Sequence, residues 1–215
     1  MIDSDSLQSR LQAVESADSA QAMLDSVEAL AELKSEKAID TLIRVLGYNN
    51  PGAAVAAVDG LIQIGTPAAS AVLSQIDGYN YGARAWALRV LSGIGDPRGL
   101  DLILATAAED FSLSVRRAAA RGLGTIQWEK LEKAERQHGQ TQARDTLLGI
   151  VAADPEWVVR YAAVVGLQGV ATAAIAQGYQ DLLEPIVQCL RKIAADDDTM
   201  AVRARAAWAI AQLPS

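Results

Sequence analysis

The residues best suited to binding a ligand are three arginines, Arg89, Arg117 and Arg121. A guanidinium group binds a carboxylate in a two-pronged geometry, so arginines on one surface favour a ligand or partner that carries carboxylates. A structural role would favour the same residue in every copy of a repeated unit. These arginines do not recur in every unit, so the sequence leaves ligand or partner contact open beside a structural role.

Composition argues against several other kinds of site. The chain has one histidine, His138, and one cysteine, Cys189, which disfavours a His–Cys or Ser–His centre and a metal site. No glycine-rich phosphate loop follows a strand pattern. With 19 basic and 26 acidic residues and a net charge of -7, the chain does not resemble a nucleic-acid binder. We therefore expect no metal, no cofactor and no nucleic-acid partner.

Internal repeats predict the elements that position the arginines. Segments such as ARAWALRVLSGIG (83–95) and VRYAAVVGLQGV (159–170) align without gaps, and each is preceded by an apolar segment with helical spacing. The equivalent core positions are Leu30, Leu61, Leu91, Leu123, Leu167 and Ile210. The pattern predicts an all-α fold, an α-solenoid of about six HEAT-like helix pairs. We expect a single curved domain over residues 1–215, with longer insertions near 127–143 and 171–183.

Capping residues support this division into helices. Asn50-Pro51 and Asp96-Pro97 each place a capping side chain before a proline, a combination typical of the start of a helix. Gly47, Gly65 and Gly95 stand where helices are predicted to end, each with a left-handed residue.

The repeat register also predicts which side of each second helix faces outward. At about 100° per residue, Ala85, Arg89 and Ser92 point away from the core direction given by Ala87, Leu91 and Ile94. The outward positions are Leu24, Glu28, Val55, Asp59, Ala85, Arg89, Arg117, Arg121, Tyr161, Val165, Ala204 and Trp208. This surface is predicted to be acidic early in the chain, basic in the middle, and aromatic or apolar late.

Another set of arginines recurs at one position of four units. Because a repeated residue usually serves the repeat itself, we expect a ladder in which each guanidinium bonds loop carbonyls or a capping aspartate such as Asp96 or Asp154. The set is Arg84, Arg116, Arg160 and Arg203.

The sequence also bears on where the protein acts. No uninterrupted apolar run approaches the roughly 20 residues that span a bilayer, and the first residues, MIDSDSLQSR, lack the pattern of a secretory signal. A single cysteine fits a reducing compartment. We expect a cytoplasmic protein that does not enter a membrane.

Two runs carry a resemblance to a known family. YNYGARAWALRVLSGIGDPRGLDLIL (79–104) and FSLSVRRAAARGLGTI (111–126) resemble the F-type subunits of the heterodimeric E/F phycobilin lyases of cyanobacteria and red algae. The similarity spans nearly the whole chain. Within the family it is greatest to the subunits that serve the α-subunit of phycocyanin.

The resemblance implies an enzyme subunit that acts with a homologous E-type partner. Such lyases attach phycocyanobilin, their substrate, through a thioether to a cysteine of the apo-phycocyanin α-subunit. Related lyase-isomerases carry a His-Cys motif, whereas this chain reads YNNPGA at 48–53, which argues against isomerase activity. The alternative is a non-catalytic helical-repeat scaffold or chaperone that binds a bilin or a phycobiliprotein during phycobilisome assembly or turnover.

With a bilin as the ligand, side-chain chemistry gives expected roles for individual residues. Arg89, Arg117 and Arg121 would bind the propionate groups of the bilin. The side chains that would cover the tetrapyrrole faces are Tyr81, Tyr161 and Trp208. The residue that donates a proton stays unassigned, with Asp96 and Asp110 as weak candidates.

Overall fold

The computed structural model describes residues 4–75 and 81–213, and in these ranges it contains α-helices and short 3₁₀ turns but no strand. The side chain of Tyr81, a predicted bilin contact, lies outside the described part. The chain divides into two compact units, Met1–Ile94 and Gly95–Ser215. A single domain over residues 1–215 stays a prediction.

Each unit consists of three helix pairs. The helices of the first unit are α1 (Ser4–Ser16), α2 (Ala20–Ala31), α3 (Ile39–Val45), α4 (Pro51–Ile64), α5 (Thr66–Gln75) and α6 (Tyr81–Ile94). Those of the second unit are α7 (Leu100–Glu109), α8 (Leu113–Gly122), α9 (Lys133–Ala153), α10 (Trp157–Gln177), α11 (Gln180–Asp196) and α12 (Met200–Gln212). The second helices of successive pairs pack on one another, α2 on α4 on α6 and α8 on α10 on α12. The predicted all-α repeat fold is confirmed.

Helix ends follow the predicted capping residues in most places. Asn50 Oδ1 accepts a hydrogen bond from the Ala53 amide at 3.1 Å, and α4 starts at Pro51. Gly65 ends α4 with a φ of 81°, a conformation that favours glycine. The prediction for Gly47 is wrong, because its φ is not positive: α3 ends in a tighter turn, in which the Gly47 amide donates to the Arg44 carbonyl.

The predicted core register is confirmed by burial. Leu30, Leu61, Leu123 and Leu167 have no exposed surface, and Leu91 is 1% exposed. Ile210 of α12 is only partly buried. Burying a leucine side chain contributes about 1.5–3 kcal/mol, so these positions hold the pairs together.

Close packing of α8 and α10 determines where the outward side chains of the second unit lie. A Cβ atom added at Gly169 would collide with the carbonyl oxygen of Gly124, and one added at Gly166 with that of Ala120. Glycine at these positions allows the backbones to touch. The contact holds the α10 residues Tyr161 and Val165 beside α8.

The two lengthened segments differ in what they form. Residues 127–143 include the 3₁₀ turn Trp128–Lys130 and the first half of α9. Residues 171–183 complete α10, which ends at the left-handed Gly178, and begin α11. Among the described helices, α10 alone has the length and composition to cross a membrane, and 50% of its apolar window is buried inside the unit, as in the core helix of a repeat protein.

Candidate functional site

The predicted arginine ladder is present in the second unit. Arg116 of α8 donates through Nε and Nη2 to the carboxylate of Asp154, at 2.8 and 3.2 Å. Arg160 of α10 makes the same pair with Asp197, at 2.9 and 3.1 Å. The side chains of this second pair are 11% and 4% exposed. Both ladder arginines therefore stabilise the fold and are not available to a ligand.

Loop carbonyls complete the ladder. Arg116 Nη1 donates to the Asp110 carbonyl at 2.9 Å, and Arg203 Nη1 donates to the Asp197 carbonyl at 2.6 Å. Burial opposes the charge of Asp197, yet the hydrogen bonds from Arg160 and from the Thr199 amide hold its pKa below the usual value.

A cavity of about 540 Å³ lies beside the ladder, and we call it the ladder cavity. Its polar lining includes Asp110, Arg116, Asp145 and Asp154. Arg116 is already paired with Asp154 at 2.8 Å, and the other charged side chains of the lining are the carboxylates Asp110 and Asp145. The cavity is poorly suited to an anionic ligand.

A second cavity, of about 500 Å³, lies between the outward faces of α8, α10 and α12, and we call it the aromatic cavity. Its lining is Arg121, Tyr161, Val165, Ala201, Ala204, Arg205 and Trp208. Five of these seven are outward positions predicted from the repeat register. Tyr161 is 37% exposed and Trp208 is 52% exposed, so both rings are accessible from solvent.

Arg205 is the cavity residue that the sequence reasoning missed. Its guanidinium carbon lies 4.6 Å from the centre of the Trp208 ring, and its Nη2 donates to Gln168 Oε1 at 2.6 Å. Burial lowers the pKa of Arg205, the charge of Arg121 lowers it further, and Tyr161 opposes the shift. The sequence did contain a signal, because the equivalent positions in α8 and α10 are Ala118 and Ala162.

The predicted arginines do not all meet at this cavity. Arg121 lines it, whereas Arg117 is exposed on α8 one turn earlier and is not part of the lining. Arg89 belongs to the first unit, where its guanidinium carbon lies 4.6 Å from the centre of the Trp86 ring. Of the six predicted bilin contacts, the aromatic cavity therefore brings together Arg121, Tyr161 and Trp208.

The two candidate proton donors both occupy loop positions. Asp96 is 4% exposed and accepts hydrogen bonds from Arg98 Nε and Nη2, at 2.9 and 2.7 Å. These bonds lower its pKa, which favours the ionised form and makes it a weak proton donor at neutral pH. Asp110 Oδ1 accepts from the Ser112 amide at 2.8 Å, as Asp154 does from the Glu156 amide at 2.9 Å. A catalytic role for either aspartate stays a prediction.

The described side chains are better suited to binding a ligand than to forming a covalent bond with it. Cys189 of α11 is half-buried, and burial raises its pKa, so it is a thiol at neutral pH. Within the described ranges, no group of three or more His, Cys, Asp or Glu side chains could hold a metal ion. What the aromatic cavity offers is two guanidinium groups and two accessible aromatic rings, which together suit a planar ligand with acidic groups.

Comparison with known proteins is consistent with this description. A family model for HEAT repeats matches residues 74–168. The chain is 54% identical to the phycocyanin alpha phycocyanobilin lyase CpcF of Synechocystis sp. over 83% of this chain and 82% of that protein. It is 53% identical to the phycobilisome maturation protein of Synechococcus elongatus, over 90% and 91% of the two chains.

A solved structure gives the same result. The fold matches a chain in the complex of CpcE and CpcF of phycocyanin lyase from Nostoc sp., with a TM-score of 0.74 and 48% sequence identity. The match covers 81% of this chain and 99% of the other. Identity of this extent over most of both chains shows common descent, and the chain belongs to the family of F-type, or beta, subunits of the phycocyanobilin lyases.

Proposed function

We propose that this chain is the F-type subunit of a phycocyanobilin lyase and acts as a heterodimer with an E-type subunit. The enzyme attaches phycocyanobilin through a thioether to a cysteine of the apo-phycocyanin α-subunit. The observation that carries the proposal is the 54% identity, over most of both chains, to a protein named as the lyase of phycocyanin alpha. The expected place of action is the cytoplasm.

The reaction requires no nucleophile from this chain. The acceptor cysteine adds its sulfur to the ethylidene carbon of the bilin, a C–S bond forms, and the thiol proton ends on the bilin. Nothing leaves and nothing is oxidised. The lyase has to hold the bilin, orient it against the acceptor and manage one proton, which agrees with a chain whose only cysteine has a raised pKa.

The residues proposed to hold the bilin are those predicted from the sequence. Arginines would bind the propionates because a guanidinium matches a carboxylate in geometry and charge. The proposed contacts are Arg89, Arg117, Arg121, Tyr81, Tyr161 and Trp208. Support is strongest for Arg121, Tyr161 and Trp208, since these three line one cavity.

Co-expression tests the proposed activity. The chain, an E-type subunit, apo-phycocyanin α and phycocyanobilin are produced together, and the acceptor is analysed by mass spectrometry and by its absorbance after denaturation. We expect an acceptor mass increased by one phycocyanobilin. The adduct should be lost when the acceptor cysteine is replaced by serine or when either lyase subunit is omitted.

A non-catalytic role is the alternative, and the name of the Synechococcus elongatus relative, a phycobilisome maturation protein, is broad enough to include it. Under that alternative the chain would bind the bilin or the phycobiliprotein, but the acceptor mass would stay unchanged in the full mixture. Size-exclusion chromatography with the E-type subunit provides a second measurement. A chain that remains monomeric with every E-type subunit offered would contradict the heterodimer.

A further inference from the structure

Arg205, which lines the aromatic cavity, has a buried hydrogen-bond donor that the fold leaves unsatisfied. Arg205 Nη1 is buried and has no hydrogen-bond partner in the described part of the chain, although Nη2 of the same group donates to Gln168 at 2.6 Å. Leaving a buried donor without an acceptor costs about 1–3 kcal/mol. Helix packing does not require this arginine, because the equivalent residues Ala118 and Ala162 pack as alanines.

The charges of the cavity indicate that the group missing from it is an anion. Arg121 and Arg205 line the same cavity, and the charge of Arg121 contributes to the lowered pKa of Arg205. Over residues 4–75 and 81–213, neither arginine forms an ion pair, whereas Arg116 and Arg160 each pair with an aspartate. Two neighbouring cations in a chain of net charge -7 are stabilised when an anion enters between them.

The walls of the cavity restrict the kind of anion. Trp208 already has the Arg205 guanidinium over its ring at 4.6 Å and remains 52% exposed. Val165, Ala201 and Ala204 complete an apolar surface. A cavity of about 500 Å³ falls in the range typical of small-molecule sites. Flat apolar walls beside two guanidinium groups match a planar conjugated ligand that carries carboxylates better than a small hydrated anion.

We infer that Arg205 is the carboxylate anchor of the aromatic cavity: stacked on Trp208 and assisted by Arg121, it binds a carboxylate of a planar conjugated ligand. The inference rests on the proposed function, in which this ligand is phycocyanobilin and the carboxylate is one of its propionates. A carboxylate paired with the Arg205 guanidinium would neutralise the local positive charge.

Bilin binding can be measured apart from bilin transfer. The chain, purified alone and with its E-type subunit, is titrated with phycocyanobilin and with its dimethyl ester, in which both propionates are neutral, and binding is followed by absorbance. We expect the free acid to bind at least tenfold more tightly than the ester. Arg205→Gln should weaken binding of the acid about tenfold and leave the ester unchanged, and Arg205→Lys should fall between.

Two controls keep the result interpretable. Arg191→Gln changes an exposed arginine of α11 and should alter neither binding constant. Trp208→Leu removes the ring and should weaken the acid and the ester alike. Circular dichroism melting verifies that each variant folds, and if Arg205→Gln does not fold, Arg205→Lys and the acid-to-ester ratio decide.

The outcomes separate this inference from the proposed function. Equal affinity for acid and ester, or an Arg205→Gln variant that binds the acid as the unmodified chain does, overturns the anchor even if the lyase makes its adduct. Acid-selective binding that depends on Arg205 supports the anchor even if no adduct forms, in which case the lyase proposal fails alone.

Discussion

Two cavities of the second unit, the ladder cavity and the aromatic cavity, have similar volumes of about 540 and 500 Å³, and each is lined by arginine. They differ in whether the fold already provides a carboxylate partner for that arginine. Arg116 is bound to Asp154, whereas Arg205 has a glutamine and an aromatic ring but no carboxylate among the described residues. Of two arginines that line cavities, the one without a carboxylate partner in the fold is the better candidate to bind an anionic ligand.

The largest expected effect is on the ladder. Arg160→Ala leaves the carboxylate of Asp197, which is 4% exposed, without its partner, and removing one member of a buried pair costs about 3–5 kcal/mol. Urea unfolding measures the change in the free energy of unfolding. The matched variant Arg121→Ala should change this free energy by no more than about 0.5 kcal/mol. Equal destabilisation by both would remove the distinction between the two cavities.

A second prediction concerns the packing beneath the aromatic cavity. Gly166→Val places side-chain atoms against the Ala120 carbonyl and Leu147, and overpacking of this kind costs about 1–3 kcal/mol. The thermal midpoint should fall, and bilin binding should weaken as α10 moves away from α8. Gly149→Ala is the control, because nothing lies within 4 Å of the added Cβ; it should be neutral or stabilise by up to about 1 kcal/mol.

Enzymatic activity should depend on Arg121 of the aromatic cavity more than thermal stability does. Arg121→Gln is expected to lower the initial rate of adduct formation about tenfold, equivalent to about 1.4 kcal/mol, while the thermal midpoint stays unchanged. The rate is measured with saturating acceptor and limiting phycocyanobilin. Arg191→Gln should retain the full rate. A full rate for Arg121→Gln would exclude Arg121 from the bilin site.

The smallest effect is the response of stability to acid. The pKa values of Asp96 and Asp197 are lowered in the folded chain, so the folded state binds fewer protons than the unfolded state as pH falls. Their contribution to stability is complete above the unfolded pKa, near 4, and is lost as pH falls through the lower folded values. Urea unfolding between pH 7 and pH 3 should therefore show stability decreasing below about pH 4.

A variant tests the origin of this decrease. Asp197→Asn removes one of the two groups and should make the decrease shallower, although it also lowers stability at pH 7 by breaking the pair with Arg160. Asp101→Asn changes an exposed residue and should leave the slope unaltered. An unchanged slope in Asp197→Asn would assign the acid sensitivity to other carboxylates.

Much of the fold was predictable because each repeat has apolar residues at helical spacing, a pattern that depends only on nearby residues. The twelve equivalent positions predicted to face outward are all exposed or half-exposed, including Val55, Asp59 and Arg121. The prediction for Ser92 is wrong, because its side chain is buried and its hydroxyl donates to the Leu88 carbonyl of the same helix at 2.6 Å. The ladder was predictable for the same reason: a residue that recurs at one register position makes the same contact in each pair, as Arg116 and Arg160 do.

The candidate site was predictable only in part. Arg121, Tyr161 and Trp208 follow from the register, since outward positions of successive second helices become neighbours when those helices pack. Arg117 has the same outward direction but does not line the cavity. The repeat register predicts the direction in which a side chain points, but it does not predict where that side chain lies relative to the neighbouring helices. Arg205 was missed because it lies one residue beyond the predicted outward position Ala204, in a column that is alanine in α8 and α10, at Ala118 and Ala162.

By itself the sequence determined the helix pairs, the buried leucines, the ladder and the family, since each depends on residue type and spacing along the chain. Tertiary structure decided which arginine has a counter-ion. Asp154 lies 38 residues after Arg116, and only the packing of one pair on the next brings the two together. Arg205 lies beside Trp208 because the two residues are three apart on α12, whereas the packing of α12 on α10 places Arg205 against Gln168, with its Nη1 atom buried and unsatisfied. An ion pair depends on distances of a few ångströms, which are established only when the helices are in place.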